Sequence, residues 1–377
     1  MSSPLSAGWC WSFAPNRVSE LLSTSYSAGW VASQRLLDLR RYATICVQSR
    51  HMPEGSLITL SDDSARSAQI EWCIDVFSHT DSSLVLKGWA FGPDTVDTIA
   101  VQLPHTRPGQ RVTRLPSADV ELAYGPDAAN SRFLITVPGI AREDVLNVSL
   151  TFESNSGETL TVPAGELRAN YLERDPLHRL FNFFFGMTRE RGTKDLLEIG
   201  SRARSGNVYK ELIGEGVKYT GLDIVSGPNV DIVGDAHQLS SLVRRNSVDA
   251  IFSISTFEHL SMPWKVAIEM NRVMRKGAIA FIQTHQTWAV HEAPWDYWRF
   301  SSYAWDSLFN AATGFRVVDA AMGEPAAIVP LLVSEASLGL QDQPAFLGSA
   351  VVVEKISRTR LKWPVDTASI ARDSYPN

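Results

Sequence analysis

The sequence predicts an all-β sandwich followed by an α/β domain built on a mainly parallel sheet. Between residues 68 and 165, short β-prone runs alternate with turn residues such as Gly92-Pro93 and Pro138-Gly139, which is typical of an antiparallel sandwich. From residue 190 onward, apolar strands alternate with helical segments, which favours a parallel sheet covered on both faces. At 377 residues the chain is long enough for at least two domains.

The sandwich prediction depends on seven short runs with β-branched and aromatic residues. One of them, Lys87-Gly88-Trp89-Ala90-Phe91, is expected to carry a large aromatic side chain into the core. The runs are 71–77, 83–91, 98–103, 112–115, 132–137, 147–153 and 159–162.

A helical connector is expected at residues 166–189. Its first part ends before Pro176, and Leu177–Met187 is expected to form a second, very apolar helix. Phe181, Phe184 and Phe185 share one face of that helix, so packing on the next domain is favoured over a lid on a ligand.

The α/β domain is expected at residues 190–357, with a tail at 358–377, and its final pair of strands is expected to be antiparallel. The predicted strands are 195–200, 218–224, 230–234, 249–255, 277–284, 315–320 and 348–356, and the predicted helices begin near 206, 263 and 302. Ser301 or Ser302 is expected to cap the last of these helices. Residues 1–67 are rich in Ser and Arg and are left unassigned, as helical or partly disordered.

Composition excludes some classes of protein. A net charge of −6 argues against a nucleic-acid binder. The three cysteines have neither bridge nor metal spacing, which fits a reducing, cytoplasmic setting. We expect no transmembrane segment and no signal peptide. The sequence does not decide whether the protein forms a homo-oligomer.

The ends of the first two α/β strands predict a nucleoside site. Leu196–Gly200 is an apolar run that ends in an acid and a glycine, and Tyr219–Asp223 ends in an aspartate. In a parallel sheet these ends meet at one edge, where amides and a carboxylate can hold a nucleoside. Only the first and seventh positions of Gly200–Gly206 are glycines, so a dinucleotide fingerprint is missing and S-adenosylmethionine fits better than NAD.

Taken together, these motifs resemble the class I S-adenosylmethionine-dependent methyltransferases, of the small-molecule, type 11-like branch. The resemblance covers residues 190–356 and implies a Rossmann-like sheet of seven strands. The motifs that carry it are LLEIG, YTGLDI, VGDAHQL, VDAIFSISTFEHL, MPWKVAIEMNRVM and GAIAFIQTHQ.

The resemblance also implies which residues bind the donor. Glu198 and Gly200 would contact the methionine part, Asp223 the ribose hydroxyls, and Asp235 and Ala236 the adenine, while the carbonyl of Ser255 would hold the amino group. Ser201 and Ile224 are also expected to contact the donor. The glycine turn departs from the family in carrying Arg202 and Arg204. Arg202 would either pair with the donor carboxylate or block the site. Glu198, Asp223 and Asp235 could instead have cap or turn roles.

The segment Thr284–Phe300 is the predicted acceptor side. It follows the fifth strand and interleaves polar groups with aromatic rings, which suits a sugar, another polyol or a flat aromatic acceptor. The predicted substrate-binding residues are Trp288, Trp295, Asp296, Tyr297, Trp298 and Arg299. Asp296 and Arg299 could instead form a salt bridge within the loop, and the aromatic residues could instead be core.

Methyl transfer to a hydroxyl needs a base, and histidine suits this near neutral pH. His285 ranks first, followed by His291, whereas His259 is expected to have a structural or donor-side role. No spacing matches a known metal-ligand pattern, so no metal is predicted. The apolar segment 326–340 could be a substrate wall, a dimer contact or a membrane-facing patch, with a buried insertion slightly favoured.

The favoured function is O-methylation of a sugar or glycan biosynthetic intermediate. The strand Lys87–Phe91 looks like those of accessory β-domains in bacterial surface-polysaccharide enzymes, and it motivates the glycan class by analogy. Methylation of a natural-product or lipid scaffold is the first alternative. A binding or assembly protein with a degenerate α/β domain is the second.

Overall fold

A computed structural model of the chain describes residues 70–370, except positions 81, 93, 204, 205, 207 and 333. The expectations for residues 1–67 and for Arg204 lie outside this part of the chain. The described residues form a β-sandwich, two connecting helices and an α/β sheet.

The β-sandwich has seven strands in two antiparallel sheets. The antiparallel sandwich agrees with the sequence prediction, which gave no strand order. The larger sheet has the order β1-β2-β5-β4 and the smaller one the order β3-β6-β7. Its elements are β1 (Glu71–Thr80), β2 (Ser83–Phe91), β3 (Val96–Gln102), β4 (Arg111–Leu115), α1 (Ala118–Tyr124), β5 (Arg132–Pro138), β6 (Ser149–Ser154) and β7 (Thr159–Pro163).

Alternation along the strands decides which side chains fill the core between the two sheets. In β5 every second residue is buried, and β2 follows the same alternation up to Gly88. Leu84, Phe133 and Phe152 are among the side chains of that core. Trp89 is also buried, as expected. It packs in a smaller cluster under helix α1, which the sequence did not predict.

Two helices, α2 (Ala164–Arg174) and α3 (Pro176–Glu190), connect the sandwich to the α/β sheet. The Asp175 side chain accepts from the main-chain N–H of Leu177 at 3.0 Å and caps α3. Helix α3 packs on one face of the sheet, where Phe184 is fully buried. The packing prediction is therefore confirmed, and α3 is not a lid.

The α/β sheet has seven strands in the order β10-β9-β8-β11-β12-β14-β13. Strands β8 to β12 run parallel to one another. Strand β14 is antiparallel to both β12 and β13, so the predicted antiparallel final pair is confirmed. Its elements are β8 (Asp195–Ile199), β9 (Lys218–Asp223), β10 (Ile232–Val233), α4 (Leu239–Leu242), β11 (Val248–Ile254), α5 (Pro263–Val273), β12 (Met274–His285), α6 (Ala304–Leu308), β13 (Phe315–Ala326) and β14 (Ala345–Lys355).

Two helix predictions were wrong in extent. The helix expected from about 206 is a short 3-10 turn at Tyr209–Leu212, between Gly206 and Gly216, which both have positive φ and cannot extend a helix. Helix α6 ends at Leu308 because the side chain of Asn310 accepts from following main-chain N–H groups and forms a turn. Its N-cap position is Tyr303, without a side-chain cap bond, so neither Ser301 nor Ser302 caps it.

The slightly favoured burial of segment 326–340 is also wrong. Several of its large apolar side chains are exposed, because the segment leaves the sheet after β13 and returns only at β14. The exposed side chains are Ile328, Val329, Leu331, Leu332 and Leu338. Among the described residues, no helix combines the length and apolar character that a membrane crossing requires.

Candidate active site

A cavity of about 1080 Å³ opens at the carboxyl ends of β8, β9, β11 and β12. Ligands of open α/β sheets bind at this edge, because the loops after parallel strands converge there. The cavity is lined by every residue predicted to bind the donor: Glu198, Gly200, Ser201, Arg202, Asp223, Ile224, Asp235, Ala236 and Ser255.

The turn after β8 requires glycine at position 200. Gly200 has a φ of +81°, and a Cβ there would lie 1.9 Å from Thr256 Oγ1. The main-chain N–H groups of Gly200 and Ser201 both donate to the carbonyl of Leu222, at 2.8 and 3.1 Å. The close approach of Gly200 to Thr256 brings the loops after β8 and β11 together at one wall of the cavity.

Asp223 ends β9 and lies beside Arg202. One carboxylate oxygen accepts from the main-chain N–H of Val225 at 2.9 Å, and the other from that of Arg202 at 3.2 Å. The Arg202 Nε lies 4.0 Å from the Asp223 carboxylate. The guanidinium therefore neighbours the acid assigned to ribose, and it lies alongside Gly227, whose added Cβ would meet its side chain.

Glu198 is 4% exposed and accepts hydrogen bonds from one residue on β9 and from one in the loop after β9. Its Oε2 accepts a short hydrogen bond from the Tyr219 hydroxyl and a longer one, at 3.4 Å, from Asn229. Burial raises the pKa of Glu198 to about 7, although both hydrogen bonds oppose that rise. The carboxyl at the methionine end thus titrates near neutrality.

Asp235 has both of its carboxylate oxygens in use. One oxygen lies 2.9 Å from the main-chain N–H of His237 and 2.6 Å from its ring, and the other accepts from the Thr367 hydroxyl at 2.8 Å. Burial alone would raise the pKa of Asp235, but the bonds from His237 outweigh it and lower the pKa. One oxygen of Asp235 therefore caps the short helix that follows it, as the alternative prediction had it. Thr367 lines the cavity beside Asp235, the residue predicted to contact adenine.

Ser255, directly after β11, is a serine with a positive φ of 50°. Its N–H donates to the carbonyl of Gln283 on the neighbouring strand at 2.9 Å. This uncommon conformation turns the chain at the floor of the cavity, where the donor amino group is expected.

The loop after β12 divides into residues that line the cavity and residues that hold the loop. Asp296 receives two bonds from the guanidinium of Arg299, at 2.6 and 2.8 Å, and one from the main-chain N–H of His291 at 2.9 Å. Chiefly because of Arg299, the pKa of Asp296 is strongly lowered. Asp296 and Arg299 thus form a salt bridge within the loop, which was the alternative to substrate binding. Neither residue lines the cavity.

The aromatic residues of this loop divide in the same way. The Trp298 indole donates to the carbonyl of Leu260 at 2.8 Å and packs edge-on against Trp264, so it anchors the loop. Trp288, Trp295 and Tyr297 line the cavity.

The three candidate histidines converge on one buried residue, Glu258, in the loop after β11. From its Oε1, His285 Nδ1 lies at 3.0 Å, His259 Nε2 at 3.8 Å and His291 Nε2 at 3.9 Å. The other oxygen accepts a short hydrogen bond from the Thr284 hydroxyl. Burial would raise the pKa of Glu258, but His285 and Thr284 bring it below its usual value.

Residues 197–282, which carry most of this cavity's donor side, match the family model described as "Methyltransferase domain". A methyltransferase domain therefore lies within the α/β unit. The predicted family resemblance and fold class are confirmed, and S-adenosylmethionine is the donor that this family implies.

Solved structures similar to this chain include two S-adenosylmethionine-dependent methyltransferases. The one from Archaeoglobus fulgidus is 17% identical, with 46% of this chain and 94% of that chain covered and a TM-score of 0.33. The one from Aquifex aeolicus is 18% identical, with 48% and 90% covered and a TM-score of 0.31. None of the curated proteins matches the chain.

Among the cavity residues that sequence reasoning missed are Glu258, Glu324 and Thr367. Glu258 stands within the strand-four motif, but nothing in its spacing shows that three histidines surround it. Glu324 lies on β13 near α3, where His178 is its partner at 3.1 Å. Thr367 belongs to the tail, for which the sequence carries no signal.

The pKa of Glu198 predicts how pH affects the stability of the methyltransferase. Between pH 4.5 and 7 the unfolded chain releases this proton while the folded chain keeps it, so folding is progressively disfavoured. Relative to Glu198→Gln, the wild-type free energy of unfolding should fall by about 3 kcal/mol over this range, at about 1.4 kcal/mol per pKa step. Urea titrations at several pH values measure the difference. A flat difference between the wild type and Glu198→Gln over this range would contradict the raised pKa.

Removal of the Asp223 carboxylate should weaken donor binding severely. Asp223→Ala deletes a charged acceptor for the ribose hydroxyls, and we expect S-adenosylhomocysteine affinity to fall by roughly 2–4 kcal/mol. Calorimetry measures this directly, and the exposed Asp319→Ala change on β13 is the matched control. Unchanged affinity would show that ribose does not bind at this strand end.

Proposed function

We propose that this protein transfers a methyl group from S-adenosylmethionine to a hydroxyl of a sugar or glycan biosynthetic intermediate. One observation carries the proposal: the donor residues and the cluster of Glu258 with three histidines line the same cavity. An acceptor oxygen held at that cluster would lie beside the end of the cavity assigned to the methionine part of the donor.

The chemistry requires an acceptor hydroxyl in line with the donor's methyl carbon and a group that takes its proton. As its oxygen attacks, the methyl carbon's bond to sulfur breaks and S-adenosylhomocysteine remains. We assign the proton to His285, which lies at the end of β12 and faces the buried carboxylate of Glu258. A carboxylate beside an imidazole stabilises the imidazolium that forms.

Aromatic side chains at this end of the cavity suit the C–H faces of a sugar ring. Trp288 is 46% exposed and stacks on His285 with ring centroids 4.7 Å apart and planes 15° from parallel. Trp295 and Tyr297 lie on the same lining. Rings next to hydrogen-bonding groups support a polyol acceptor, since its hydroxyls and its apolar faces are both matched.

The direct test offers purified protein S-adenosylmethionine with a panel of nucleotide sugars and oligosaccharides. We expect S-adenosylhomocysteine to accumulate with at least one of them, and mass spectrometry to place the new methyl group on oxygen. Methylation of nitrogen or carbon in another class of acceptor, without turnover on any hydroxyl, would overturn the proposal. Failure to bind S-adenosylhomocysteine would instead favour a binding or assembly protein.

A lipid scaffold is the second candidate acceptor, and one observation favours it. The exposed side chains Val329, Leu331 and Leu332 follow β13, whose Glu324 lines the cavity. A lipid tail emerging from the cavity would find apolar contacts there. Lipid-linked and free versions of the same sugar, compared in one assay, separate the two candidates by their kcat/KM.

Replacement of His285 tests the acceptor end. His285→Ala should reduce kcat by about 10²–10⁴, because deprotonation by a positioned group contributes that much. S-adenosylhomocysteine affinity should stay unchanged, since the donor residues are separate. His105→Ala, at an exposed turn of the sandwich, is the matched control. Near-normal turnover would transfer the role to His291 or remove the need for a base.

A further inference from the structure

We propose that Glu258, His285 and His291 bind a divalent transition-metal ion such as Zn²⁺ at the acceptor end of the cavity. The cluster offers one carboxylate oxygen and two ring nitrogens, and these three atoms all lie within 4.8 Å of one another. Ligands held at about 2.0–2.2 Å around a tetrahedral Zn²⁺ are separated by roughly 3.3 Å. The distances of 3.0 and 3.9 Å from Glu258 Oε1 to the two nitrogens bracket that value.

Two atoms of the cluster lack a hydrogen-bond partner among the described residues. Glu258 Oε1 and His285 Nδ1 are both buried, and although 3.0 Å separates them, neither makes a bond of acceptable geometry. Glu258 is 0% exposed, so its oxygen has no access to bulk water. Buried polar atoms without partners are costly, and a cation between these two would satisfy both.

Neighbouring carbonyls orient the other rings toward the same point. His291 Nδ1 lies 3.2 Å from the carbonyl of Ala289, and His259 Nδ1 lies 2.9 Å from that of Trp295. A carbonyl only accepts, so each Nδ1 carries a proton, and Nε2, the ring atom on the Glu258 side, is the one left to bind an ion. Outer hydrogen bonds of this kind are typical of metal-binding histidines.

The ligand set decides the class of ion. Two imidazoles and one carboxylate suit Zn²⁺, Fe²⁺ and similar ions, whereas Mg²⁺ and Ca²⁺ prefer oxygen ligands. His259 Nε2, at 3.8 Å from Glu258 Oε1, stands beside the cluster as a further donor. Because His285 and His291 line the cavity, a remaining coordination position would face the acceptor.

The bound ion would supply the chemistry that the acceptor needs, and this role rests on the proposed hydroxyl methylation. A hydroxyl held by the ion would have a lowered pKa and would release its proton to water, and its oxygen could then attack the methyl carbon as the carbon–sulfur bond breaks. His285 would then be a ligand, and the lowered pKa of the hydroxyl would remove the need for a separate base. Binding of the ion itself does not depend on the identity of the acceptor.

Metal binding can be measured without donor or acceptor. We would strip the purified full chain with EDTA, titrate it with Zn²⁺ by calorimetry, and record the visible absorption of the Co²⁺-loaded protein. We expect one ion per chain, with affinity lowered at least about 10–100-fold by Glu258→Gln and by His291→Ala. His291 lies on a loop, so the His291→Ala variant still tests the site if the buried Glu258→Gln variant does not fold. His105→Ala should bind the ion as wild type does.

Each outcome separates the ion site from the methylation proposal. Absence of binding, or binding that neither substitution weakens, would overturn the metal site. Zn²⁺ binding without methylation of any hydroxyl would support the site and overturn only its catalytic role. Turnover that is equal in EDTA-stripped and Zn²⁺-loaded protein would also overturn that role.

Discussion

The carboxylate and the carbonyl of Glu258 together organise the part of the cavity that is lined by the loop after β12. Its carbonyl accepts from the main-chain N–H groups of Tyr297 and Trp298, at 2.9 and 3.1 Å, so the loop after β12 is fastened to the loop after β11. Its side chain is fully buried and faces three histidines. A buried charge is costly unless it is compensated, and in the described residues only the Thr284 hydroxyl donates a hydrogen bond to this carboxylate.

The donor half is organised differently, by main-chain geometry. Gly200 approaches Thr256 closely, and Asp223 and Asp235 are bonded to N–H groups of the loops they begin. These carboxylates are therefore already oriented before any ligand binds, which reduces the entropic cost of binding. The two halves meet because β8 and β11 are neighbours in the sheet and β12 follows.

Much of this arrangement was predictable from the sequence, and the reason is geometric. The residues predicted to bind the donor follow parallel strands, so locating the strands also locates these residues, and Gly200, Asp223 and Asp235 all line the cavity. The grouping of Glu258 with His285 and His291 was not predictable, because it depends on how two loops fold over each other. The roles of Asp296 and Arg299 were left open for the same reason. In a sequence, an acid and an arginine in a loop look the same whether they bind a ligand or each other.

Asp175 has a consequence for any attempt to isolate the catalytic part. Besides capping α3, its carboxylate accepts from the main-chain N–H of Glu324 at 2.6 Å, next to Gly323, where no Cβ would fit. Recombinant fragments that start at residue 190, where the strand–helix alternation begins, would lose this tether and bare the sheet face that Phe184 covers. An autonomous fragment must therefore keep Asp175 and the whole of α3, which makes that helix part of the enzyme and more than a spacer.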